Sequence, residues 1–417
     1  MLQKIRSILL KKSFQQVGVY TVTGSLCKAI SFAALPFFVN MLSEGDIGIL
    51  NIYSNCIVFL TPIVSMGVLY SISIDYFKLP KAEYARVFST GLLIPVMLSI
   101  LLIPVLYLLR VPLEKAFNFQ PAFLWLIPMG LILNFSFEAF IILIRNQNKV
   151  KLFATVSLLK VVIEITLSVL LIMWLWHSWY SRALSFVVAG IVVSGMFIFH
   201  IQKQGFLVPR IDKQVLRNEL FFGLSGMALQ TAIFFINTSD KFFVMSFFGK
   251  NQAGYYAVAS TFATIQQIVC MSLMQYLQPI LFSRFADEKK WKDVKEMFYK
   301  YMLAMVATLL AVTVFTIIVY TYLLRPAYKP YLHYFYILSI GSLIWSITWL
   351  FLQYILFQKN KRILFTLAAI SITIAVAINY IGSAKFTMNW LAGGQIATNI
   401  LVIAIILLFN KKLGFFA

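Results

Sequence analysis

Leu92-Leu93-Ile94-Pro95-Val96-Met97-Leu98 is apolar at every position. It has neither the two-residue alternation of a barrel strand nor the polar face of a surface helix. The surrounding run, 86–109, is long enough as a helix to cross a hydrocarbon core of about 30 Å. A chain that places such a stretch in lipid must satisfy its own backbone hydrogen bonds, and a helix does so within the segment. Working outward in both directions, comparable stretches recur at 15–41, 47–72, 121–144, 152–176, 183–201, 218–239, 252–280, 300–324, 331–357, 363–382 and 388–409. The sequence therefore predicts an all-α integral membrane protein with about 12 transmembrane helices.

Composition agrees with this. Of 417 residues 61% are hydrophobic and 12% charged, against about 45–50% and about 25% in soluble domains. So little charge cannot cover a water-facing surface, which excludes a single soluble domain, a disordered chain and a disulfide scaffold. Cys27, Cys56 and Cys270 all lie in apolar runs and read as small buried hydrophobes. The basic start, Met1 to Arg6, precedes an apolar run with no small-residue cleavage site after it, so an uncleaved first span is expected.

Net charge is +21, from 35 Lys and Arg against 14 Asp and Glu. With the N-terminus placed in the cytoplasm, twenty-five of the 35 cations fall in cytoplasmic segments and seven in external loops. This is the positive-inside pattern. It predicts both termini in the cytoplasm and makes nucleic acid an unnecessary partner. Trp174, Trp176, Trp179 and Tyr180 form an aromatic belt at the opposite interface. The segment from Arg284 to Lys300 reads as an amphipathic helix on the cytoplasmic leaflet, with Trp291, Val294, Met297 and Phe298 at helical spacing.

The halves of the chain resemble each other. Leu42-Ser43-Glu44-Gly45-Asp46-Ile47-Gly48 follows the first span as Phe248-Gly249-Lys250-Asn251-Gln252-Ala253-Gly254 follows the seventh. Asn148-Lys149-Val150-Lys151-Leu152-Phe153 similarly matches Asn360-Lys361-Arg362-Ile363-Leu364-Phe365. The expected organisation is an N-terminal six-helix bundle over 1–201, a basic cytoplasmic linker over 202–217 and a C-terminal six-helix bundle over 218–417, a transporter architecture.

Two stretches carry a family resemblance. Phe38-Val39-Asn40-Met41 through Gly48 to Asn51 resembles the first external turn of Wzx-type polysaccharide flippases, those of O-antigen and capsule assembly. Ser239-Asp240-Lys241-Phe242-Phe243 through Gly249 to Gly254-Tyr255-Tyr256-Ala257 resembles the equivalent turn in their second half. The resemblance implies the multidrug/oligosaccharidyl-lipid/polysaccharide (MOP) exporter superfamily and a MATE-like pair of six-helix bundles. It further implies a bacterial inner-membrane flippase of surface polysaccharide or lipopolysaccharide biosynthesis. The implied substrate is undecaprenyl-diphosphate-linked oligosaccharide, moved from the cytoplasmic to the outer leaflet by alternating access. Membrane lipids, a coupling ion (proton or sodium) and other polysaccharide-assembly proteins are the partners it implies.

Polar groups within the spans are the candidate site residues, since ionisable side chains in hydrocarbon usually face a cavity. Lys28, mid-span, is read as a cavity cation for a substrate diphosphate or as half of an interhelix ion pair. Lys160 and Glu164 share one helix face; they neutralise each other or line the path. Glu138 either pairs with Lys28 or Lys160 or binds a coupling proton. Asn51, Asn55, Gln230, Asn237, Gln266, Gln267 and Gln275 cross-link helices or offer hydrogen bonds to sugar hydroxyls. Of these, Asn51, Gln230 and Gln267 are taken as cavity candidates. Asp240, Gly48, Gly254 and Pro36 are gating or structural candidates, Pro36 as a hinge or a static kink.

No Walker sequence, zinc-ligand spacing or nucleophile elbow is present. No cofactor, metal or catalytic residue is expected. A multidrug cation antiporter of the same superfamily is the alternative transporter, though it would favour an anionic cleft. A membrane polysaccharide polymerase or ligase is the enzyme alternative, and the short external loops speak against it.

Overall fold

A computed structural model describes residues 12–208, 213–285, 291–358, 361–385 and 387–412. Every regular element among them is helical. The α-helices are α1 (Lys12–Met41), α2 (Glu44–Ser65), α3 (Val68–Lys78), α4 (Lys81–Leu108), α5 (Arg110–Phe117), α6 (Leu126–Asn146) and α7 (Val150–Trp174). They continue with α8 (Trp179–Gln204), α9 (Lys213–Phe285), α10 (Trp291–Tyr322), α11 (Leu332–Gln358), α12 (Lys361–Lys385) and α13 (Met388–Lys412). Short 3-10 turns, Pro121–Phe123 and Pro326–Tyr331, lead into α6 and α11.

Eleven helices among the described residues are long and apolar enough to cross a membrane. One of them, Gln230–Met274 within α9, is 45 residues long, about 68 Å at 1.5 Å per residue and twice the hydrocarbon thickness. It breaks at Gly249, with φ 82° and ψ 173°, so its two arms serve as separate crossings. Twelve spans and eleven apolar helices are thus the same architecture. The second expected span, 47–72, is divided between α2 and α3 by left-handed backbone at Met66 (φ 43°) and Gly67 (φ 71°). Prolines inside spans are tolerated as expected: Pro36 in α1, Pro62 in α2, and Pro95 and Pro104 in α4 all lie within continuous helix.

Gly249 has open space around its α-carbon, with no heavy atom within 4 Å of a built Cβ. Its requirement for glycine is one of backbone conformation alone. Gly249→Ala should therefore destabilise by about 1–3 kcal/mol, the cost to an L residue of a backbone conformation that essentially only glycine adopts. Gly393→Ala, equally uncrowded but with ordinary helical backbone, should be neutral or slightly stabilising. Thermal melting of the purified protein in detergent compares the two.

The chain forms two compact units. The first comprises 1–42, 53–115 and 119–227; the second comprises 43–52, 116–118 and 228–417. The opening turns of α2 therefore group with the second unit and its remainder with the first. In the first unit α7 packs between α1 and α8, while α6 packs on α8, α4 and α3. Its core is aromatic and aliphatic: Phe88, Phe140, Leu143, Ile144, Val193 and Phe197 are all buried. In the second unit α13 packs on α11 and α12, and α10 packs on α11. Two clusters fill it, one around Cys270, Leu281, Tyr301 and Met305, the other around Ile355, Val402 and Ile406. The outward faces stay apolar, as Leu101, Leu108, Trp174, Leu310 and Leu408 illustrate. Such a surface is stable in lipid and not in water.

The segment 284–300 differs from its sequence reading. Residues 286–290 and the side chain of Trp291 lie outside the described residues. From Trp291 onward the segment is the opening of the spanning helix α10. Val294 and Phe298 are buried in the Cys270–Tyr301 cluster, with Met297 packed against it. The helical spacing was real, but its apolar face is covered by protein. Part of the expected linker, 209–212, also lies outside the described residues.

Candidate substrate-binding site

The ionisable groups inside the first unit gather along α7 and its neighbours. Lys160 and Glu164, four residues apart, stand one turn above each other, with Nζ to Oε2 at 3.6 Å. Lys160 is buried at 9% exposure. Its ammonium lies 4.8 Å from the Phe137 ring centre on α6 and 4.7 Å from that of Phe186 on α8. Two aromatic faces thus hold one cation, an arrangement worth about 2 kcal/mol per ring when desolvated. Glu138, next to Phe137, interacts electrostatically with Lys160 and with Arg145 one helix end away. Arg182, on the second turn of α8, stacks its guanidinium 3.9 Å from the Phe38 ring centre of α1 and interacts with Glu164. Cys27 on α1 is within electrostatic reach of Lys160.

Its neighbour Lys28 is exposed on the unit's surface and takes part in no ion pair among the described residues. Of the two sequence readings of Lys28, the interhelix pair is not formed. Lys160 and Glu164 do pair, as expected from their spacing, yet the aromatic clamp and the approach of Glu138 make that pair part of a larger group. Three cations, Arg145, Lys160 and Arg182, accompany two carboxylates, Glu138 and Glu164. Such a group can hold an anion against its surplus cation while the other charges keep each other neutral.

The second unit contains the amides. Gln267 donates from Nε2 to Asn237 Oδ1 (3.2 Å) and Ser342 Oγ (3.4 Å), tying both arms of α9 to α11. Gln266 donates to the Met305 carbonyl at 2.9 Å and is fully buried. These two amides are helix cross-links. Asn51, placed in this unit by the opening turns of α2, and Gln230 are half-buried. Asn55, in the first unit, is buried. The Gln275 side chain lies outside the described residues.

Asp240 is 3% exposed and accepts a 2.5 Å hydrogen bond from the Tyr256 hydroxyl across the two arms of α9. Lys241 beside it is buried too. Next to it, Ser239 Oγ accepts from Asn379 Nδ2 of α12 at 2.8 Å. The Asp and the second Tyr of that family-like stretch are therefore bonded to each other.

Gly48 and Gly254 meet where α2 enters the second unit. A Cβ at Gly48 would stand 2.3 Å from the Lys250 carbonyl oxygen, and one at Gly254 would stand 1.8 Å from that of Glu44. The contact is reciprocal: Glu44 corresponds to Lys250 as Gly48 corresponds to Gly254 in the internal repeat. Ser43 starts α2 as a capping residue, accepting from the Asp46 N–H at 3.1 Å and donating its hydroxyl to the Asp46 carboxylate.

The model of the family described as "Polysaccharide biosynthesis protein" matches residues 13–285. The chain belongs to that family. No curated protein matches it. Among solved structures, it resembles an inward-facing multidrug resistance MATE family transporter of the MOP superfamily at TM-score 0.69 and 11% identity, covering 91% of this chain and 94% of that one. It resembles the lipid II flippase MurJ, in an inward closed conformation, at TM-score 0.66 and 15% identity, covering 93% and 87%. It also resembles a mutant of the Vibrio cholerae MATE transporter VcmN at TM-score 0.60 and 16% identity, covering 97% of each chain. At such identities the likeness is one of fold, the fold shared by these MATE transporters and MurJ. The expected MATE-like, all-α membrane architecture and the resemblance to polysaccharide flippases are both borne out.

Within this polysaccharide biosynthesis protein, sequence reading missed Arg182 and the three phenyl rings that hold the charges. Arg182 counts as an external-loop cation when spans are drawn from hydropathy, because apolar character begins only after it. The helix starts three residues earlier, at Trp179. Phe38, Phe137 and Phe186 carry no signal in a chain with 39 phenylalanines.

Proposed function

We propose that the protein is a flippase that carries undecaprenyl-diphosphate-linked oligosaccharide, an O-antigen or other surface polysaccharide repeat unit, from the cytoplasmic to the outer leaflet. It works by alternating access in the bacterial inner membrane, with both termini cytoplasmic. The observation that carries this reading is the cation-rich group of the first unit in a member of a polysaccharide biosynthesis family, a clamped Lys160 and a stacked Arg182, with Lys28 exposed on α1. Lys28 contacts the diphosphate as a point charge, and the polyprenyl tail remains in lipid. Asn51 and Gln230 are candidates for hydrogen bonds to sugar hydroxyls. Glu138 and Glu164 are candidates for a coupling proton, with sodium as the other coupling ion. Gly48, Gly254, Asp240 and Pro36 shape the moving parts. Within this reading the chain performs transport, without a chemical step of its own.

The fold also occurs in MATE transporters, so a multidrug cation antiporter is the competing reading. The surplus of cations over carboxylates in the first unit disfavours it, since a cationic drug would meet repulsion. Complementation separates the two. Expression in a host lacking its polysaccharide flippase should restore surface glycan for a matching repeat unit. Cation efflux, with no glycan restored for any repeat unit, would overturn the proposal. Lys28→Ala should lower export about tenfold, the scale of one lost charge contact to a phosphate, with unchanged melting because the side chain is exposed. Lys28→Arg should keep most of the export.

A further inference from the structure

We propose that a pocket at the end of the first unit, apart from the charged group around α7, binds a phosphate-bearing headgroup. The pocket holds about 540 Å³ and is lined by Tyr76, Leu79, Lys81, Tyr84, Gln147, Lys149, Gln204 and Phe206. These residues come from the α3–α4 turn, the α6–α7 turn and the end of α8. All three segments belong to loops that the cation distribution assigns to the cytoplasmic face, so the pocket opens at a membrane interface.

Its chemistry selects an anion. Lys81 and Lys149 are exposed, and neither is paired with a carboxylate among the described residues. No described lining residue is acidic. Lys149 Nζ stands 3.5 Å from His200 Nε2, which leaves ammonium donors for a ligand. Gln147 and Gln204 form a reciprocal amide pair, with bonds of 2.6 and 3.0 Å. His200 Nε2, facing the Lys149 ammonium, braces that pair as an acceptor from Gln204 Nε2 at 2.8 Å. The floor is thus polar and fixed, and Gln147 keeps a spare N–H. The helices α4 and α7 begin at Pro80 and Lys149 without a side-chain cap, and of the N–H groups at the start of α7 Val150 donates to the Asn148 carbonyl at 3.1 Å, which leaves the other first-turn donors for an anion.

The opposite wall is aromatic and rigid. Tyr84 packs edge-on against Tyr76 and Phe206, both with ring centres 5.3 Å away. The chain after α8 is locked by Ser89, which donates to the Phe206 carbonyl at 2.5 Å and accepts from the Val208 N–H at 2.8 Å. Lys81 lies 5.9 Å from the Phe206 ring centre. A bare phosphate would engage the lysines and leave this wall idle. A glycerol or sugar carrying the phosphate would use both. Basic pockets at the cytoplasmic ends of membrane helices suit such headgroups.

The test measures binding, without transport, on the full-length protein in phosphatidylcholine nanodiscs. Lys81 and Lys149 are labelled with an amine-reactive reagent in the presence of short-chain phosphatidylglycerol, short-chain phosphatidylcholine or inorganic phosphate. The expected result is protection of both lysines by phosphatidylglycerol and none by phosphatidylcholine, while Lys78 stays reactive. Protection by inorganic phosphate at matched concentration would also support the site and identify free phosphate as its source. Equal labelling under all conditions would overturn the proposal. Lys81→Gln with Lys149→Gln should weaken phosphatidylglycerol affinity at least about tenfold. Lys78→Gln with Lys203→Gln, which alters exposed cations outside the lining, should leave it unchanged. An equal loss in both double variants would mean unspecific surface attraction and would also overturn the proposal.

Discussion

Gly254→Ala should cost the protein about 3 kcal/mol or more, at the upper end of overpacking effects. The added methyl would stand 1.8 Å from the Glu44 carbonyl oxygen, 2.7 Å from its carbon and 3.1 Å from its α-carbon. These are backbone atoms of a capped helix start and have no rotamer to yield. The two backbones would have to separate by roughly 1.5 Å to restore ordinary contact distance, forfeiting close packing along the crossing. Small residues are what permit helices to approach this closely in a membrane, where packing does much of the work of association. Gly48→Ala should behave alike, since its Cβ meets the Lys250 carbonyl oxygen at 2.3 Å and the Gly254 nitrogen at 2.9 Å. Size-exclusion profiles and thermal melting in detergent provide the measurement, with Gly393→Ala as the uncrowded control. A Gly254→Ala protein that melts with the wild type would refute the close crossing.

The second large effect concerns Lys160. Lys160→Met keeps the length of the side chain and removes the charge between the Phe137 and Phe186 rings. Glu164 then loses its ion-pair partner, and Glu138 loses one of its two cationic neighbours. Breaking a buried pair from one side costs about 3–5 kcal/mol; Glu164 retains 22% side-chain exposure, so a value toward the lower end or below is expected. Adding Glu164→Gln removes the stranded charge and should restore most of the melting temperature. Export should stay at least tenfold below wild type in the double variant, because the aromatic clamp then holds no cation. Lys160→Arg, still charged and able to stack between rings, should retain part of the export. Normal export from the stable double variant would confine Lys160 to a structural role.

Hydropathy sufficed to find every long apolar helix among the described residues, because the penalty for polar backbone and side chains in lipid is large and local. What it could not place were events lasting a residue or two: the left-handed break at Gly249, the Met66–Gly67 division of the second span, and the start of α8 at Trp179 in place of 183. Such events depend on backbone conformation and on partners distant in sequence. The Lys160–Glu164 pairing followed from helical spacing, whereas its clamp did not, since phenylalanines at 137 and 186 become neighbours only when α6, α7 and α8 pack. The amide cluster was read as both path and cross-link. Gln266 and Gln267 do bond across helices, and their partners Met305 and Ser342 lie on α10 and α11, invisible to local pattern. The segment after Trp291 was misassigned for a related reason: helical amphipathicity reveals that a face is covered, and lipid and protein cover it equally well.

Copies of a duplicated segment ordinarily drift independently, each free to change so long as its own surroundings allow. The Gly48 and Gly254 crossing denies that freedom. Each copy forms the wall of the other, so a side chain gained in one has no compensating deletion available in its twin, which already lacks one. Whatever changes around it, this crossing admits a side chain on neither backbone.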